Sequence, residues 1–175
     1  MDHRAVLGVV GWSGSGKTTL VKHLLHELVG RGYAVSTIKH AHSGFDIDTP
    51  GKDSHTHREA GAHEVMVTSA NRFALIHENR GAPEPLIPGL LARMSPVDLV
   101  LIEGFKTEPH DKLEVHRPAL GKDVLFVADR DVVAVASDQP IPGVTVPLLD
   151  LNDAAAVADF VVRHCGLANG ARGAG

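Results

Sequence analysis

The chain has 175 residues, 43% apolar and 22% charged, which are the length and composition of a globular domain and not of a disordered chain. Its 17 Lys and Arg against 21 Asp and Glu give a formal net charge of −4, so no global positive field favours nucleic acid and no nucleic-acid partner is expected. The first residues carry no signal-peptide pattern and no apolar run is long enough to span a bilayer, so we expect a cytoplasmic protein without a membrane partner.

The predicted elements near the start of the chain alternate between strand and helix. Residues 6–10 form a continuous apolar run that predicts a short buried strand, and residues 18–29 carry apolar side chains at helical spacing. Two glycines just beyond predict the end of that helix, and residues 34–38 predict a second strand. The polar segment at residues 39–54 is rich in Gly, Asp and His, which is typical of a loop at a site.

Later in the chain, apolar runs predict further strands, and several of these runs are nearly continuous, as in strands covered on both faces. The Pro-rich residues 81–89 predict a loop that leads into a short helix. Residues 152–165 predict a final helix, with Asn152 as its cap. The further strands are predicted at residues 64–67, 73–76, 98–102, 124–127 and 132–136.

The order of these elements indicates the fold class. Strands that alternate with helices favour an α/β fold, in which a mostly parallel central sheet lies between helices as a three-layer sandwich. No internal repeat or long linker divides the sequence, so we predict a single domain over residues 1–165 and a disordered tail over residues 166–175. The lone Cys165 is predicted to be a small apolar residue without a catalytic role.

The stretch GWSGSGKTT lies directly between the first predicted strand and the first predicted helix. It fits the pattern GxxxxGKS/T, in which glycines let consecutive backbone N–H groups face phosphates at the start of a helix. In this pattern Lys17 is predicted to reach the outer phosphates of a nucleotide and the Thr18 hydroxyl to ligate Mg²⁺. The context predicts a P-loop NTPase type of fold, and the residues predicted to bind the nucleotide phosphates are Gly11, Ser13, Gly14, Ser15, Gly16, Lys17, Thr18 and Thr19.

A second acidic group should hold the magnesium, and the segment DLVLIEG offers two candidates. Asp98 and Glu103 stand at opposite ends of one predicted strand, about 16 Å apart at the usual rise per residue. In open parallel sheets ligands bind at the carboxyl ends of the strands, so Glu103 faces the phosphates if this strand runs parallel to the first. We therefore expect Glu103 to hold Mg²⁺ directly or through a water, and a solvated loop acid is the alternative.

Three further segments resemble one known family. The first is TIKHAHSGFDID at residues 37–48, which is followed by PGKDS and HREAGA within residues 50–62. The others are LVLIEGFK at residues 99–106 and KLEVHRP at residues 112–118. Their order and spacing, together with the phosphate loop, are similar to those of the molybdopterin-guanine dinucleotide biosynthesis protein B family, and the combination is more specific than the loop alone.

The resemblance implies a homodimeric accessory protein that binds GTP, hydrolyses it weakly with Mg²⁺, and works beside the nucleotidyltransferase that joins GMP to molybdopterin. Molybdopterin itself is a further candidate ligand. In related phosphate-loop proteins an acid after the second strand helps to place magnesium or water, and by this likeness Asp46 and Asp48 are the candidates here. The residues expected to act in hydrolysis are therefore Lys17, Glu103, Asp46 and Asp48.

The preference for guanine rests on the resemblance alone, because the chain contains no NKxD sequence of the kind that reads guanine in regulatory GTPases. We expect the base at the end of the strand predicted at residues 132–136, where Ser137 and Asp138 follow, since late strands of such sheets often carry it. An ordinary exit from strand to loop is the alternative.

The 12 histidines are the unusual feature of the composition. His is the commonest neutral nitrogen ligand, so a metal site is one interpretation, but no Cys or cap of acids completes tetrahedral spacing and a polar loop is the plainer interpretation. The two His-x-His pairs are formed by His40, His42, His55 and His57. A third interpretation is a cationic rim that meets the pterin phosphate or the partner enzyme, formed by Lys39, His40, Lys52 and Arg58.

Two other functions are compatible with the phosphate loop. A small-molecule kinase must shield the γ-phosphate with a closing lid, and the sequence contains no clear Arg-rich lid. A metal-delivery GTPase is favoured by the histidines alone. Among the arginines, only Arg117 lies within a segment of the resemblance, so it is the candidate to stabilise transferred phosphate charge, with a structural ion pair as the alternative.

Overall fold

The computed structural model describes residues 5–41 and 44–167, which form two compact units. The first unit takes the chain up to His40 and again from Ile87 onward, and the second takes Ala41–Leu86. The single domain over residues 1–165 stays a prediction. Most of the tail predicted over residues 166–175 lies outside the described residues, and Leu167, at the last described position, is buried in the core of the first unit.

The strands and helices are numbered in chain order. The strands are β1 (Ala5–Val10), β2 (Val35–Lys39), β3 (Glu64–Thr68), β4 (Phe73–His77), β5 (Leu99–Glu103), β6 (Lys112–His116), β7 (Val132–Ser137) and β8 (Leu148–Asp150). The helices are α1 (Lys17–Gly30), α2 (Asp53–Glu59), α3 (Ile87–Leu91) and α4 (Ala154–His164), with a 3₁₀ turn at Pro118–Leu120. Across residues 5–41 and 44–167, no helix has both the length and the apolar character needed to cross a membrane.

Six strands of the first unit form one parallel sheet in the order β2-β5-β1-β6-β7-β8. In the middle of this sheet Val9 of β1 stands beside Glu103 of β5 on one side and Leu113 of β6 on the other. All the pairs run in the same direction, so the carboxyl ends of these strands meet at one edge of the sheet. The predicted α/β fold with a parallel central sheet is confirmed.

Both faces of this sheet are covered, which explains why its middle strands are almost wholly apolar. In β5, Leu99 and Leu101 pack on one face with α1 and α4, while Val100 and Ile102 pack on the other with Ile87 of α3. Side chains alternate between the two faces along a strand, so a strand covered on both sides needs apolar residues at every position. The helical side chains of the larger core are Leu20, Val21, Leu24, Leu28, Val157, Ala158 and Val161.

The strand predicted at residues 124–127 is wrong, because this segment forms a turn. The backbone N–H groups of Leu125 and Phe126 donate to the two oxygens of Glu114 at 2.8 and 3.0 Å. The N–H of Ala128 donates back to the Leu125 carbonyl at 3.0 Å. Leu125 and Phe126 therefore pack against β1 and β7 from a turn, which the buried carboxylate of Glu114 in β6 holds.

Two strands of the sheet, β6 and β8, lie where no strand is predicted. In β6 the buried polar residues Lys112, Glu114 and His116 alternate with apolar ones, so the segment lacks the apolar run of its neighbours. The ammonium of Lys112 is matched by Asp129 at 2.9 Å and Asp131 at 3.3 Å. The other missed strand, β8, has only three residues.

The cap of the final helix lies one residue later than predicted. Asp153, and not Asn152, caps α4, because its carboxylate accepts the N–H of Ala156 at 2.9 Å. The N–H of Asn152 instead donates to Asp150 at 2.8 Å, so this residue belongs to the turn before the helix. At the far end, burial raises the pKa of the Cys165 thiol to about 11, which disfavours the reactive thiolate.

The second unit contains α2 and an antiparallel pair of strands, β3 and β4. Met66 stands opposite Leu75, and Thr68 stands opposite Phe73. The strands predicted at residues 64–67 and 73–76 are present, and they are not covered on both faces, since Met66 is 61% and Phe73 is 69% exposed. An apolar run therefore does not show by itself that a strand belongs to the central sheet, because β3 and β4 form a separate two-stranded sheet.

A first prediction concerns Glu114, whose fully buried carboxylate joins β6 to the turn at residues 124–127. Glu114→Gln replaces one acceptor oxygen by an NH₂ group that faces a backbone donor, so we expect the free energy of unfolding to fall by about 1–3 kcal/mol. Urea unfolding followed by circular dichroism measures this change. Glu27→Gln, at a partly exposed pair with Arg31, is the control and should stay within about 1 kcal/mol of wild type. Equal losses in the two variants would contradict the role of Glu114.

Candidate nucleotide-binding site

The phosphate loop lies between the end of β1 and the start of α1, so the predicted strand before it and helix after it are confirmed. Gly11, Gly14 and Gly16 all have positive φ. Gly16 has a φ of 101°, in the region that favours glycine. A Cβ on Gly11 would collide with the backbone oxygen of Val115 and lie 2.7 Å from the Ser15 hydroxyl. The loop is therefore packed closely against β6.

The start of α1 has the features of an anion site. Its N-cap residue is Gly16, so no side chain caps the first turn of the helix. The Ser15 hydroxyl is buried in the loop and has no hydrogen-bond partner within the part of the chain that the structure describes. Lys17 Nζ donates to the Trp12 carbonyl at 2.8 Å, which holds the ammonium against the loop. These groups fit the phosphates of a nucleotide.

The direction of β5 decides between the two candidate acids. Because β5 runs parallel to β1, Glu103 lies at the same edge of the sheet as the phosphate loop, and Asp98 lies at the opposite edge. Asp98 accepts a hydrogen bond from the Ala34 N–H at 2.9 Å, beside the start of β2. Its role is thus in the architecture of the sheet, on the side away from the loop.

Glu103 meets the first turn of α1. The Thr18 hydroxyl donates to Glu103 Oε1 at 2.7 Å, although the two residues are 85 positions apart in sequence. Lys39 Nζ lies 3.6 Å from the same oxygen. A hydroxyl and a carboxylate at this distance are the hard oxygen ligands that Mg²⁺ prefers, usually with several waters and phosphate oxygens.

Arg117 connects the phosphate loop to the end of β7. Its Nε donates to the Ser15 carbonyl at 3.0 Å, and its Nη1 donates to Asp138 Oδ2 at 2.6 Å. The structural ion pair considered for Arg117 is thus present. The other oxygen of Asp138, Oδ1, is buried and lacks a hydrogen-bond partner among the described residues. Asp138 also lines a cleft of about 350 Å³ at the ends of β7 and β8.

Trp12 and two lysines beside it lie at the loop, and the phosphate-loop motif assigns a role to none of them. The indole N–H donates to the Asp123 carbonyl at 2.8 Å. Lys106 Nζ lies 4.4 Å from the centre of the indole ring and Lys122 Nζ lies 5.8 Å from it. The signals in the sequence are the single tryptophan of the chain, which stands inside the phosphate loop, and the position of Lys106 at the end of the LVLIEGFK segment.

Asp46 and Asp48 lie in the second unit, where both bind Arg58. Arg58 Nη1 donates to Asp46 at 2.9 Å and to Asp48 at 3.1 Å, and its Nε donates to Glu78 at 2.8 Å. Asp48 also accepts the hydroxyl of Ser54 at 2.7 Å. The hydrogen bond from Arg58 lowers the pKa of Asp46, and the bond from Ser54 lowers that of Asp48. The part of these aspartates in hydrolysis stays a prediction.

The histidines divide between the two units. His40 stacks on Phe105 with ring centres 4.4 Å apart, whereas His55 lies 3.7 Å from Glu59, and His42 lies outside the described residues. Over residues 5–41 and 44–167, no group of three or more His, Cys, Asp or Glu side chains is arranged to hold a metal ion. The cationic rim stays a prediction, since Lys39 and His40 belong to the first unit and Lys52 and Arg58 to the second.

Comparisons with known proteins cover most of the chain. The family model for molybdopterin guanine dinucleotide synthesis protein B matches residues 6–138. The chain is 44% identical over 168 residues to the molybdopterin-guanine dinucleotide biosynthesis adapter protein of Escherichia coli, which covers 94% of this chain and 95% of that protein. It is 39% identical over 170 residues to the adapter protein of the same name from Haemophilus influenzae, with 95% and 93% covered. The crystal structure of the MobB protein homolog from Bacillus stearothermophilus superposes with a TM-score of 0.64 at 25% identity, over 92% of this chain and 97% of that one.

A second prediction follows from the close packing of the phosphate loop. Gly11→Ala would drive a methyl group into the Val115 carbonyl, whereas Gly14→Ala would meet only Leu120, at 4.0 Å. Both glycines have positive φ, so both variants carry backbone strain and the collision adds to it only in Gly11→Ala. We expect Gly11→Ala to lose about 1–3 kcal/mol more unfolding free energy than Gly14→Ala. Urea unfolding of the two variants measures the difference, and equal losses would show that the loop is not packed against β6 as described.

Proposed function

We propose, from the premise that this chain belongs to the molybdopterin guanine dinucleotide synthesis protein B family, that it binds GTP with Mg²⁺ and assists the nucleotidyltransferase that attaches GMP to molybdopterin. The match of the family model and the relatives named adapter proteins support a role as an adapter protein in molybdopterin-guanine dinucleotide biosynthesis. The nucleotide part of the proposal depends on one observation above all. This is the 2.7 Å contact of Thr18 with Glu103 beside the phosphate loop.

In this proposal the loop and the first turn of α1 bind the phosphates. Backbone N–H groups at the start of the helix face the anion, and Lys17 supplies a charge for the outer phosphates. Thr18 ligates Mg²⁺ through its hydroxyl, and Glu103 holds the metal directly or through a water. Bound Mg²⁺ would supply charge that neutralises the outer phosphates during hydrolysis.

Hydrolysis is proposed to be slow and to depend on how the site positions the phosphates and on the positive charge around them. The reaction would be attack of a water oxygen on the γ-phosphorus, which breaks the bond to the β-phosphate oxygen and releases GDP and phosphate. Lys17 would favour it by stabilising negative charge on the phosphate oxygens, and bound Mg²⁺ would supply further positive charge. Glu103 already accepts the Thr18 hydroxyl and lies beside the Lys39 ammonium, which favours a role in holding the metal over that of a general base. An adapter that acts through nucleotide occupancy does not need fast turnover.

The guanine base is proposed to lie in the cleft at the ends of β7 and β8. Asp138 lines this cleft, its Oδ1 is buried without a hydrogen-bond partner among the described residues, and its Oδ2 is held by Arg117. An unpaired carboxylate oxygen can accept the N1–H or the N2–H of guanine, and adenine presents no donor at N1. Arg117, which also contacts the loop at Ser15, would fix the position of Asp138 relative to the bound phosphates.

Two partners complete the proposal. The first is the nucleotidyltransferase, which the adapter assists. The second is another copy of this chain, so that two copies form a homodimer. Molybdopterin, through its phosphate, is a further proposed ligand. The names of the relatives, adapter proteins of molybdopterin-guanine dinucleotide biosynthesis, support a partner among the enzymes of that pathway.

A third prediction tests the magnesium ligand. Glu103→Gln keeps an acceptor for the Thr18 hydroxyl but removes the negative charge, so the gain in GTP affinity that Mg²⁺ gives should fall by roughly tenfold, about 1.4 kcal/mol. GTP affinity in EDTA should hold or rise, because a carboxylate near the phosphates has been neutralised. Calorimetric titration with and without Mg²⁺ measures both. Asp98→Asn, at the opposite edge of the sheet, is the control, and a wild-type magnesium response in Glu103→Gln would show that Glu103 is misassigned.

A fourth prediction tests the adapter role itself. The purified nucleotidyltransferase is supplied with molybdopterin and Mg-GTP, and the yield of molybdopterin guanine dinucleotide is measured with and without this protein. Wild type should raise the yield, whereas Lys17→Ala, which lacks the charge that binds the outer phosphates, should not. Lys22→Ala, on the exposed side of α1, should act like wild type. Equal yields with wild type and Lys17→Ala would refute a nucleotide-dependent role.

A further inference from the structure

Lysines outside the motif stand beside the phosphate loop. The motif accounts for Lys17, but Lys106 and Lys122 also point their ammonium groups at Trp12, which is the second residue of the loop. Lys106 comes from the turn after β5, and Lys122 comes from the segment after the 3₁₀ turn. Segments that are distant in sequence therefore bring positive charge to the same loop.

Trp12 fixes this arrangement. Its indole N–H donates to the Asp123 carbonyl at 2.8 Å, which limits rotation of the ring. The face of an indole attracts an ammonium group, and Lys106 at 4.4 Å lies well within the range of this attraction. A ring face that carries an ammonium is not open to a flat ligand. Trp12 thus serves to hold cations at the loop.

The turn that carries Lys106 is also held firmly. Phe105 has a φ of 52°, a conformation that costs energy for a residue with a side chain, and it is buried and stacked on His40. Gly104 before it has a φ of 105°, and a Cβ there would lie 2.8 Å from the Cβ of His40. The strained backbone and the close packing determine the direction in which the chain leaves β5 after Glu103. Lys106 is therefore presented from a defined turn.

Lys17 and Lys106 contact the same residue of the loop. Lys17 Nζ donates to the Trp12 carbonyl at 2.8 Å, and Lys106 Nζ lies 4.4 Å from the centre of the Trp12 ring. Two ammonium groups held beside one residue repel each other, and an anion that binds both of them offsets this repulsion. Lys17 in this motif reaches the outer phosphates, so the anion that satisfies both lysines is the outer end of the nucleotide.

We propose that Lys106, held against Trp12, is a second phosphate-binding lysine, which contacts the terminal phosphate of a bound nucleoside triphosphate and makes the site select triphosphate over diphosphate. This inference rests on the proposed nucleotide binding. Lys106 follows Glu103, the proposed magnesium ligand, by three residues, in the turn after β5. Arg117 contacts the loop at Ser15 and the base cleft through Asp138, so the two cations serve different parts of the ligand.

The test compares GTP with GDP in the full chain. Lys106→Met keeps the length of the side chain and removes its charge, Lys106→Arg keeps the charge, and Lys22→Met is a control on the exposed side of α1. Calorimetric titrations with Mg-GTP and Mg-GDP give the affinities. Trp12, the only tryptophan in the chain, reports by fluorescence whether the cation over its ring is displaced.

Lys106→Met should weaken GTP binding by about tenfold or more and change GDP binding by less than about twofold, because only GTP has the γ-phosphate that Lys106 is proposed to contact. Lys106→Arg should keep most of the selectivity, and Lys22→Met should match wild type. In wild type, GTP should change Trp12 emission more than GDP does, and Lys106→Met should remove that difference.

The outcomes separate this inference from the function on which it rests. If wild type binds neither nucleotide, the proposed function fails and the inference fails with it. If wild type binds both nucleotides but Lys106→Met weakens them equally, Lys106 only supports the loop and the inference is overturned while the function stands. The same holds if Lys106→Met leaves both affinities unchanged.

Discussion

The parallel pairing of β1 with β5 is the constraint on which the site depends. It puts the carboxyl end of β5 beside the phosphate loop, so Glu103 meets the Thr18 hydroxyl at 2.7 Å from a position 85 residues away. If the pairing were antiparallel, Asp98 and not Glu103 would lie at that edge. The strands can pair in this way because both faces of the sheet are covered, which is the condition under which parallel sheets are stable.

The second feature of the site is an excess of positive charge around the loop. Lys17 and Lys106 both contact Trp12, and Lys39 Nζ lies 3.6 Å from Glu103, the carboxylate beside the loop. In an acidic chain with a formal net charge of −4 this concentration is local, and it is held by specific contacts, such as the indole of Trp12 beneath Lys106. Such a site is suited to a ligand with several negative charges, and the proposed Mg-GTP supplies them.

The sequence was sufficient for those parts of the fold that local patterns determine. The phosphate loop, the strand before it and the helix after it could be predicted, because glycine geometry and apolar spacing act within a few residues. The choice of Glu103 needed one further fact, the strand direction. By contrast, β6 was missed because it contains the polar residues Lys112 and Glu114. These are buried with hydrogen-bond partners at residues 125–131, which a local pattern does not reveal. The contact of Trp12 with Asp123 spans 111 residues, and no local pattern reports contacts of that length.

The central claim is that the loop binds a guanine nucleotide, and calorimetric titration of the purified protein with Mg-GTP and with Mg-ATP tests it most directly. Lys17→Ala serves as the blank. The account predicts saturable binding in wild type, no binding in the blank, and an affinity for GTP at least about tenfold above that for ATP, or roughly 1.4 kcal/mol. Equal affinities, or a preference for ATP, would contradict it.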